Sequence, residues 1–314
     1  GSMLGNMAVY HAMAHPGDVI MSAAQPFGGH SSNRIDGPAG FRGLKILDIP
    51  FDPIELEVDL PAFAKAARQA QPKLVVMGMS MTLFPLPVRE MSSMIGEWGG
   101  RFIYDGAHQA GLIAGGQFQD PLNEGAVVLT GSAGKTFSGP QSGIIVWNDP
   151  ELTQPLADTI FPVLAATHQV NRVAALAVSA AEMLEYGKRY MAQIVKNSQA
   201  LGKALDERGI PVIGAKRGYS MTHQVIVNVK QFGGGLEVAH RLAKANLITN
   251  KNLVPGDKRS PGETSGLRLG TPAVTTRGMG PEEMDLIADL IQRVLSAPDD
   301  RRVRKYVRDQ TLDL

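Results

Sequence analysis

The sequence predicts an α/β protein, with a mostly parallel sheet flanked by helices and a smaller C-terminal α+β domain. Three observations carry this. Residues 73–78, 101–104 and 127–129 are largely uninterrupted apolar runs, the pattern of strands covered on both faces. Helical periodicity separates these runs and the connections are short, as in right-handed crossovers between parallel strands. After Trp147 the texture changes to a long Ala-rich helical stretch and then to a second set of strands and helices.

Taken in order, residues 4–14 are small and apolar (Met7, Ala8, Val9, Ala12, Met13) and read as a buried helix, stopped by His15-Pro16-Gly17-Asp18. Residues 19–21 form a short strand. Gln25-Pro26-Phe27-Gly28-Gly29-His30 follows as a loop whose glycines permit close backbone approach. Residues 44–49 read as another strand, and Asp59-Leu60-Pro61 caps a helix running to residue 71, with proline in its first turn. A helix over 88–98 links the strands at 73–78 and 101–104, and a strand at 144–147 follows the glycine-rich turn beyond Leu129. Residues 171–208 are helical, with Ala174, Ala175, Ala177, Ala180 and Ala181 spaced for close helix packing or a subunit contact. The second domain holds a strand at 224–229, a helix at 236–245, a strand at 266–270 and a helix at 281–294. Asp299-Asp300-Arg301-Arg302 reads as a solvated charged end. The larger domain is assigned to residues 1–190 and the smaller to 191–314.

Composition narrows the function. With 31 basic and 30 acidic residues among 314, there is no electrostatic footprint for nucleic acid or an anionic membrane. No run of eighteen apolar residues occurs, so no membrane-spanning helix is expected. Cysteine is absent, which removes disulfide and thiolate chemistry and fits a reducing cytoplasm. The chain enters its first helical pattern straight after Gly1-Ser2 with no strand before it, which points to a further N-terminal portion.

Ligands of a parallel α/β sheet sit beyond the carboxyl ends of its strands, so the residues just after each strand are the informative ones. Ser80 follows the run at 73–78; Asp105 and His108 follow 101–104; Ser132 and Lys135 follow 127–129. Gly134-Lys135-Thr136 after a strand also resembles the end of a phosphate-binding P-loop. That motif requires a glycine at 129, where this chain has Leu129, and it requires a helix where this chain has Phe137-Ser138-Gly139-Pro140. Locally, Lys135 remains equally readable as a structural lysine in a turn.

Pyridoxal 5'-phosphate would call for groups of this kind. An amine must form the covalent link, and burial must lower its pKa to make it nucleophilic near neutrality. A carboxylate must hold the ring nitrogen protonated, and Asp105 is the acid at these strand ends. The phosphate suits the start of the first helix at Gly1-Ser2, and His30 on its two glycines could cover the ring. Each also has a plainer reading: Asp105 as a turn cap, His30 and His108 as loop histidines, Ser80 and Ser132 as turn serines. Arg268, between Leu267 and Leu269, must find a partner for its guanidinium, either a substrate carboxylate or an internal acid.

Several longer segments resemble the serine hydroxymethyltransferase family of fold-type I, aspartate-aminotransferase-like pyridoxal phosphate enzymes. They are Pro16-Gly17-Asp18, Gly28-Gly29-His30, Tyr104-Asp105-Gly106-Ala107-His108 with Gln109-Ala110-Gly111-Leu112-Ile113-Ala114-Gly115-Gly116, Gly134-Lys135-Thr136 with Gly139-Pro140, and Thr264-Ser265-Gly266-Leu267-Arg268-Leu269-Gly270-Thr271-Pro272-Ala273. They keep the family order and cover most of the chain. The resemblance implies that Lys135 carries the cofactor as an imine, Asp105 pairs with the pyridine nitrogen and His30 stacks on the ring. His108 and Ser80 would bond around the phenolic oxygen and the substrate, Ser132 would sit beside the imine, and Ser2 would take part in holding the phosphate. Arg268 would bind the substrate carboxylate, and Asn252 matches a position that contacts folate. The implied reaction makes and breaks Cα–Cβ bonds of β-hydroxy-α-amino acids. Its one-carbon unit passes to tetrahydrofolate, in a cytoplasmic homodimer or homotetramer.

The chain also departs from the family pattern. Ala133-Gly134 stands where Thr-His is usual, Gln141 where an arginine is usual, and Phe27 where the first of two histidines is usual. Ser31 replaces a leucine that touches folate, Met3 a phosphate-binding serine, and Ala166-Thr167 a glycine pair that reaches the partner subunit's phosphate. The family's catalytic glutamate and cross-subunit tyrosine belong to the N-terminal portion expected upstream. Two alternatives therefore stand beside the hydroxymethyltransferase: a folate-independent aldolase or transaldolase, favoured by Ser31 and Gly134, and a non-catalytic homologue.

Overall fold

The computed structural model describes residues 1–257 and 262–314. It divides into two units, one formed by Gly1–Met81 and Pro85–Met191 and the other by Thr82–Phe84 and Ala192–Leu314.

In the first unit, strands β1 (Val19–Ser22), β2 (Lys45–Asp48), β5 (Leu74–Gly78), β6 (Arg101–Asp105), β7 (Val128–Ser132) and β8 (Gly143–Trp147) form one sheet. A separate small hairpin joins β3 (Phe51–Asp52) to β4 (Glu57–Val58). The sheet order is β2-β1-β5-β6-β7-β8, parallel throughout except that β8 runs antiparallel to β7. The chain builds outward from β1 in one direction and from β5 in the other, so the topological switch falls between β1 and β5.

The uninterrupted apolar runs have a direct cause. Alternate residues of each strand enter different cores, one on each face of the sheet. Met21, Val75, Met77, Phe102 and Tyr104 pack with Phe63, Met91 and Ile95 on one side. Ile20, Leu74, Val76, Ile103 and Val128 pack with Val9, Tyr10 and Met13 of the first helix on the other. That helix spans Ser2–Met13, and the expected Asp59 cap is present, its carboxylate accepting the Ala62 N–H at 3.0 Å.

In the second unit, β10 (Asn250–Asn252), β11 (Gly266–Gly270) and β9 (Gln224–Asn228) form an antiparallel sheet with β11 in the centre. Its core joins Val225, Val227, Leu267 and Leu269 to Leu242, Met284, Ile291 and Val307 from the helices. The long helix Val170–Glu207 runs through both stretches of chain. The charged stretch Asp299-Asp300-Arg301-Arg302 is exposed, as expected, but the chain does not end there as a tail: it continues as a helix, Arg301–Asp313. The Asp300 carboxylate accepts the Arg302 N–H at 2.7 Å as its cap, and fully buried Val307 anchors it to the core.

Candidate active site

The carboxyl ends of β5, β6 and β7 lie in register, with Gly78 opposite Asp105 and Asp105 opposite Thr130. The strand pairing itself therefore brings together the turns that follow. The loop after β1 is drawn to the same edge: the His30 N–H donates to Gly78 O at 3.0 Å and the Ser80 N–H to Gly28 O at 2.7 Å. Gly28 has φ 92°, the left-handed conformation that only glycine takes without strain. On the other side, Ser132 pairs with Gly143, where a Cβ would come within 2.8 Å of Gly1 O. The start of the first helix, with Ser2, thus reaches the edge that carries Ser132.

Thr136 ties the lysine turn to the acid turn. Its buried hydroxyl donates to His108 O at 2.7 Å and accepts the Gly111 N–H at 3.0 Å. The lysine turn is closed by the Ser138 N–H on Lys135 O (3.0 Å) and the Gly139 N–H on Ala133 O (2.7 Å). Lys135 itself is exposed in this chain, not buried as the chemistry led one to expect, and the bonds that close the turn engage its backbone. The glycine beside it is filled from elsewhere, since a Cβ at Gly134 would meet the Gln141 amide at 3.1–3.3 Å. The two departures from the family pattern at 134 and 141 are therefore spatial neighbours.

Asp105 is 4% exposed and sits in a polar network that sequence reasoning missed. Its Oδ2 accepts the Asn6 amide at 2.7 Å and the Asn33 amide at 3.2 Å. Each amide is oriented by a hydroxyl on its oxygen: Thr130 donates to Asn6 Oδ1 at 2.6 Å, and Tyr10 donates to Asn33 Oδ1 at 2.6 Å. Burial, with the Asp105 charge next, pushes the Tyr10 phenol well above its ordinary value, so it remains a donor. Asp105 Oδ1 accepts the Ala107 N–H at 3.2 Å. The network extends to His30 through Ser32, whose hydroxyl accepts from Asn6 at 3.0 Å and lies 2.7 Å from His30 Nδ1. The Ser32 N–H donates to the same Nδ1 at 3.1 Å, which places the lone pair there and the ring proton on Nε2.

The signal for these residues was present but quiet. Asn6 is the one amide within an otherwise apolar helix stretch, and Asn33 lies three residues beyond His30. Gly78 makes room for the network, because a Cβ there would collide with Asn33 Nδ2 and Asp105 Oδ2. Gly78→Ala is accordingly expected to cost about 1–3 kcal/mol by overpacking, read as a lowered urea midpoint.

Arg268 and Asn252 belong to the second unit. Arg268 lies on the central strand β11, registered with Asn250 and Ile226, and burial pulls its guanidinium below its ordinary value. The Asn252 amide donates to Leu253 O at 2.8 Å.

The donor set fits pyridoxal phosphate. The edge offers a primary amine, and a buried carboxylate with Oδ2 already engaged by two amides while Oδ1 takes one backbone N–H. It also offers the start of a twelve-residue helix, Ser2–Met13, whose first turn carries no acid.

A family model described as serine hydroxymethyltransferase matches residues 1–291. The chain belongs to the serine hydroxymethyltransferase family. A serine hydroxymethyltransferase of Methanocella arvoryzae is 45% identical over 304 residues, covering 96% of this chain and 72% of the relative. One from Pyrococcus abyssi is 44% identical over 309 residues, with the same two coverages. Among solved structures, L-threonine transaldolase from Pseudomonas fluorescens, described as in the internal aldimine state, superimposes with a TM-score of 0.90 at 26% identity. That match covers 98% of this chain and 70% of the transaldolase. The fold is the aspartate-aminotransferase-like, fold-type I arrangement expected from the sequence, and the family is the one its motifs resemble.

Proposed function

We propose that this chain is a pyridoxal-phosphate-dependent transferase of the serine hydroxymethyltransferase type, interconverting serine and glycine with tetrahydrofolate as one-carbon acceptor. The observation that carries the reading is the Asp105 carboxylate, buried at the end of β6, its Oδ2 fixed by two amides and its turn tied by Thr136 to the turn of Lys135. Pyridoxal phosphate, when bound, supplies the electron sink that lets an amino acid's Cα–Cβ bond break.

The chain's own residues supply the rest. Lys135 anchors the cofactor through its amine and afterwards can hold a proton at Nζ. Asp105 would hold the ring nitrogen protonated, and His30, whose Nδ1 accepts the Ser32 N–H, would cover the ring. Ser80 and His108 would bond around the phenolic oxygen and the substrate, Ser132 would sit beside the covalent link to Lys135, and Ser2 with the first helix would hold the phosphate. Arg268 takes the substrate carboxylate and Asn252 touches folate. Residues 1–190 form the cofactor-binding domain and 191–314 the smaller one. Arg268→Ala is expected to raise KM for serine about ten- to hundredfold, the value of a charged hydrogen-bond pair, in steady-state assays. A lowered stability with unchanged KM would make Arg268 structural.

A homodimer or homotetramer fits the exposed apolar side chains at Val170, Val173, Val178 and Leu184 along the long helix, Leu184 being 91% exposed. Among the described residues no helix is long and apolar enough to cross a membrane. A cytoplasmic location fits the absence of cysteine.

The transaldolase likeness favours a second reading, folate-independent exchange on a threonine-type substrate. One assay separates the two. Serine is converted to glycine only when tetrahydrofolate is supplied if the first reading holds, whereas folate-independent cleavage or exchange of threonine without serine turnover supports the second.

A further inference from the structure

We propose that Asn6 and Asn33 are positioning residues that saturate Asp105 Oδ2, reserving Oδ1 for the cofactor, and that Thr130 and Tyr10 set this arrangement by fixing which way each amide faces. The proposal rests on the cofactor reading above. An asparagine amide can present either its oxygen or its nitrogen to a neighbour, and only the nitrogen end can donate to a carboxylate. Each amide oxygen here receives a hydroxyl proton at 2.6 Å, from Thr130 on Asn6 and from Tyr10 on Asn33, whose oxygen is also approached more distantly by the Asn6 amide at 3.2 Å and the Ser32 hydroxyl at 3.3 Å. Both NH2 groups are thereby directed at one oxygen, Oδ2, at 2.7 and 3.2 Å. All five side chains are buried, Asn6 at 2% exposure and Asn33 at 1%, so water does not compete for these bonds.

The same network reaches the ring-covering histidine. Asn6 donates to the Ser32 hydroxyl at 3.0 Å, and that hydroxyl lies 2.7 Å from His30 Nδ1. The groups proposed for the edge and the face of the cofactor are therefore set by one hydrogen-bonded unit, and the strand register that places Thr130 opposite Asp105 builds it.

The test titrates apoprotein with pyridoxal phosphate, following the visible absorbance band and its pH midpoint, with thermal melting of the apoprotein alongside. Thr130→Val and Tyr10→Phe, each removing one orienting hydroxyl, are expected to weaken cofactor affinity about three- to tenfold and to shift the pH midpoint. Thr130→Ser, which keeps the hydroxyl, restores both values. Asn33→Asp sets a second carboxylate against Asp105 and weakens affinity about a hundredfold. If these variants melt at lower temperature while affinity and pH midpoint stay at the wild-type values, the positioning role is overturned. Should Thr130→Val fail to fold, the isosteric Tyr10→Phe decides by the same criteria. A wild-type chain that binds no pyridoxal phosphate overturns the cofactor reading and this proposal together, whereas tight wild-type binding with indifferent variants overturns this proposal alone.

Discussion

Lys135→Ala is expected to leave a folded protein that turns over serine and tetrahydrofolate at least about a thousandfold more slowly, the scale on which enzymes lose rate when the nucleophile of a catalytic unit is removed. Folding should survive because the Lys135 side chain is exposed. The turn around it is held by the backbone bonds of Ser138 and Gly139 and by Thr136, none of which uses the lysine amine. The measurements are a thermal melt, expected within the ±0.5 kcal/mol typical of surface substitutions, and kcat under saturating cofactor. Lys135→Arg should be as slow, since a guanidinium keeps the charge but does not deprotonate to act as a nucleophile. A variant retaining wild-type kcat would remove Lys135 from the chemistry.

Asp105→Ala should combine two losses that the lysine variant separates. Without the carboxylate, the buried amides of Asn6 and Asn33 lose their shared acceptor, which costs about 1–3 kcal/mol of stability. The ring nitrogen also loses its counter-charge, and kcat is expected to fall by about two to four orders of magnitude, the range of a positioned acid or base. Asp105→Asn tests which loss dominates. It preserves shape and leaves one oxygen to accept from the amides, so stability should recover most of the way while kcat remains low. Equal recovery of both would mean that the carboxylate serves packing and not the cofactor.

How much of this was legible depended on whether the signal was local. The parallel strands could be read because each feeds two cores, Met77 and Tyr104 into one and Val76 and Ile103 into the other, leaving no polar interruption. Strand β10, Asn250-Lys251-Asn252, was invisible because its three polar residues owe their conformation to pairing with β11 and not to intrinsic preference. The C-terminal helix was masked by its charge density; Val303, Val307 and Leu314 mark the side that meets the core. At the candidate site, Ser80, Asp105, Ser132 and Lys135 could be picked out because position after a strand is a sequence property. The Asn6–Asn33–Asp105 contacts join residues up to 99 positions apart and exist only through sheet register and the Gly78 gap, so no spacing announced them.

The most direct test of the central claim is borohydride reduction of the pyridoxal-phosphate-loaded chain, followed by peptide mass mapping. The account predicts a stable pyridoxyl mass addition on the peptide containing Lys135, absent from Lys135→Ala. A cofactor fixed on another lysine, or no fixation from a loaded chain, would contradict it.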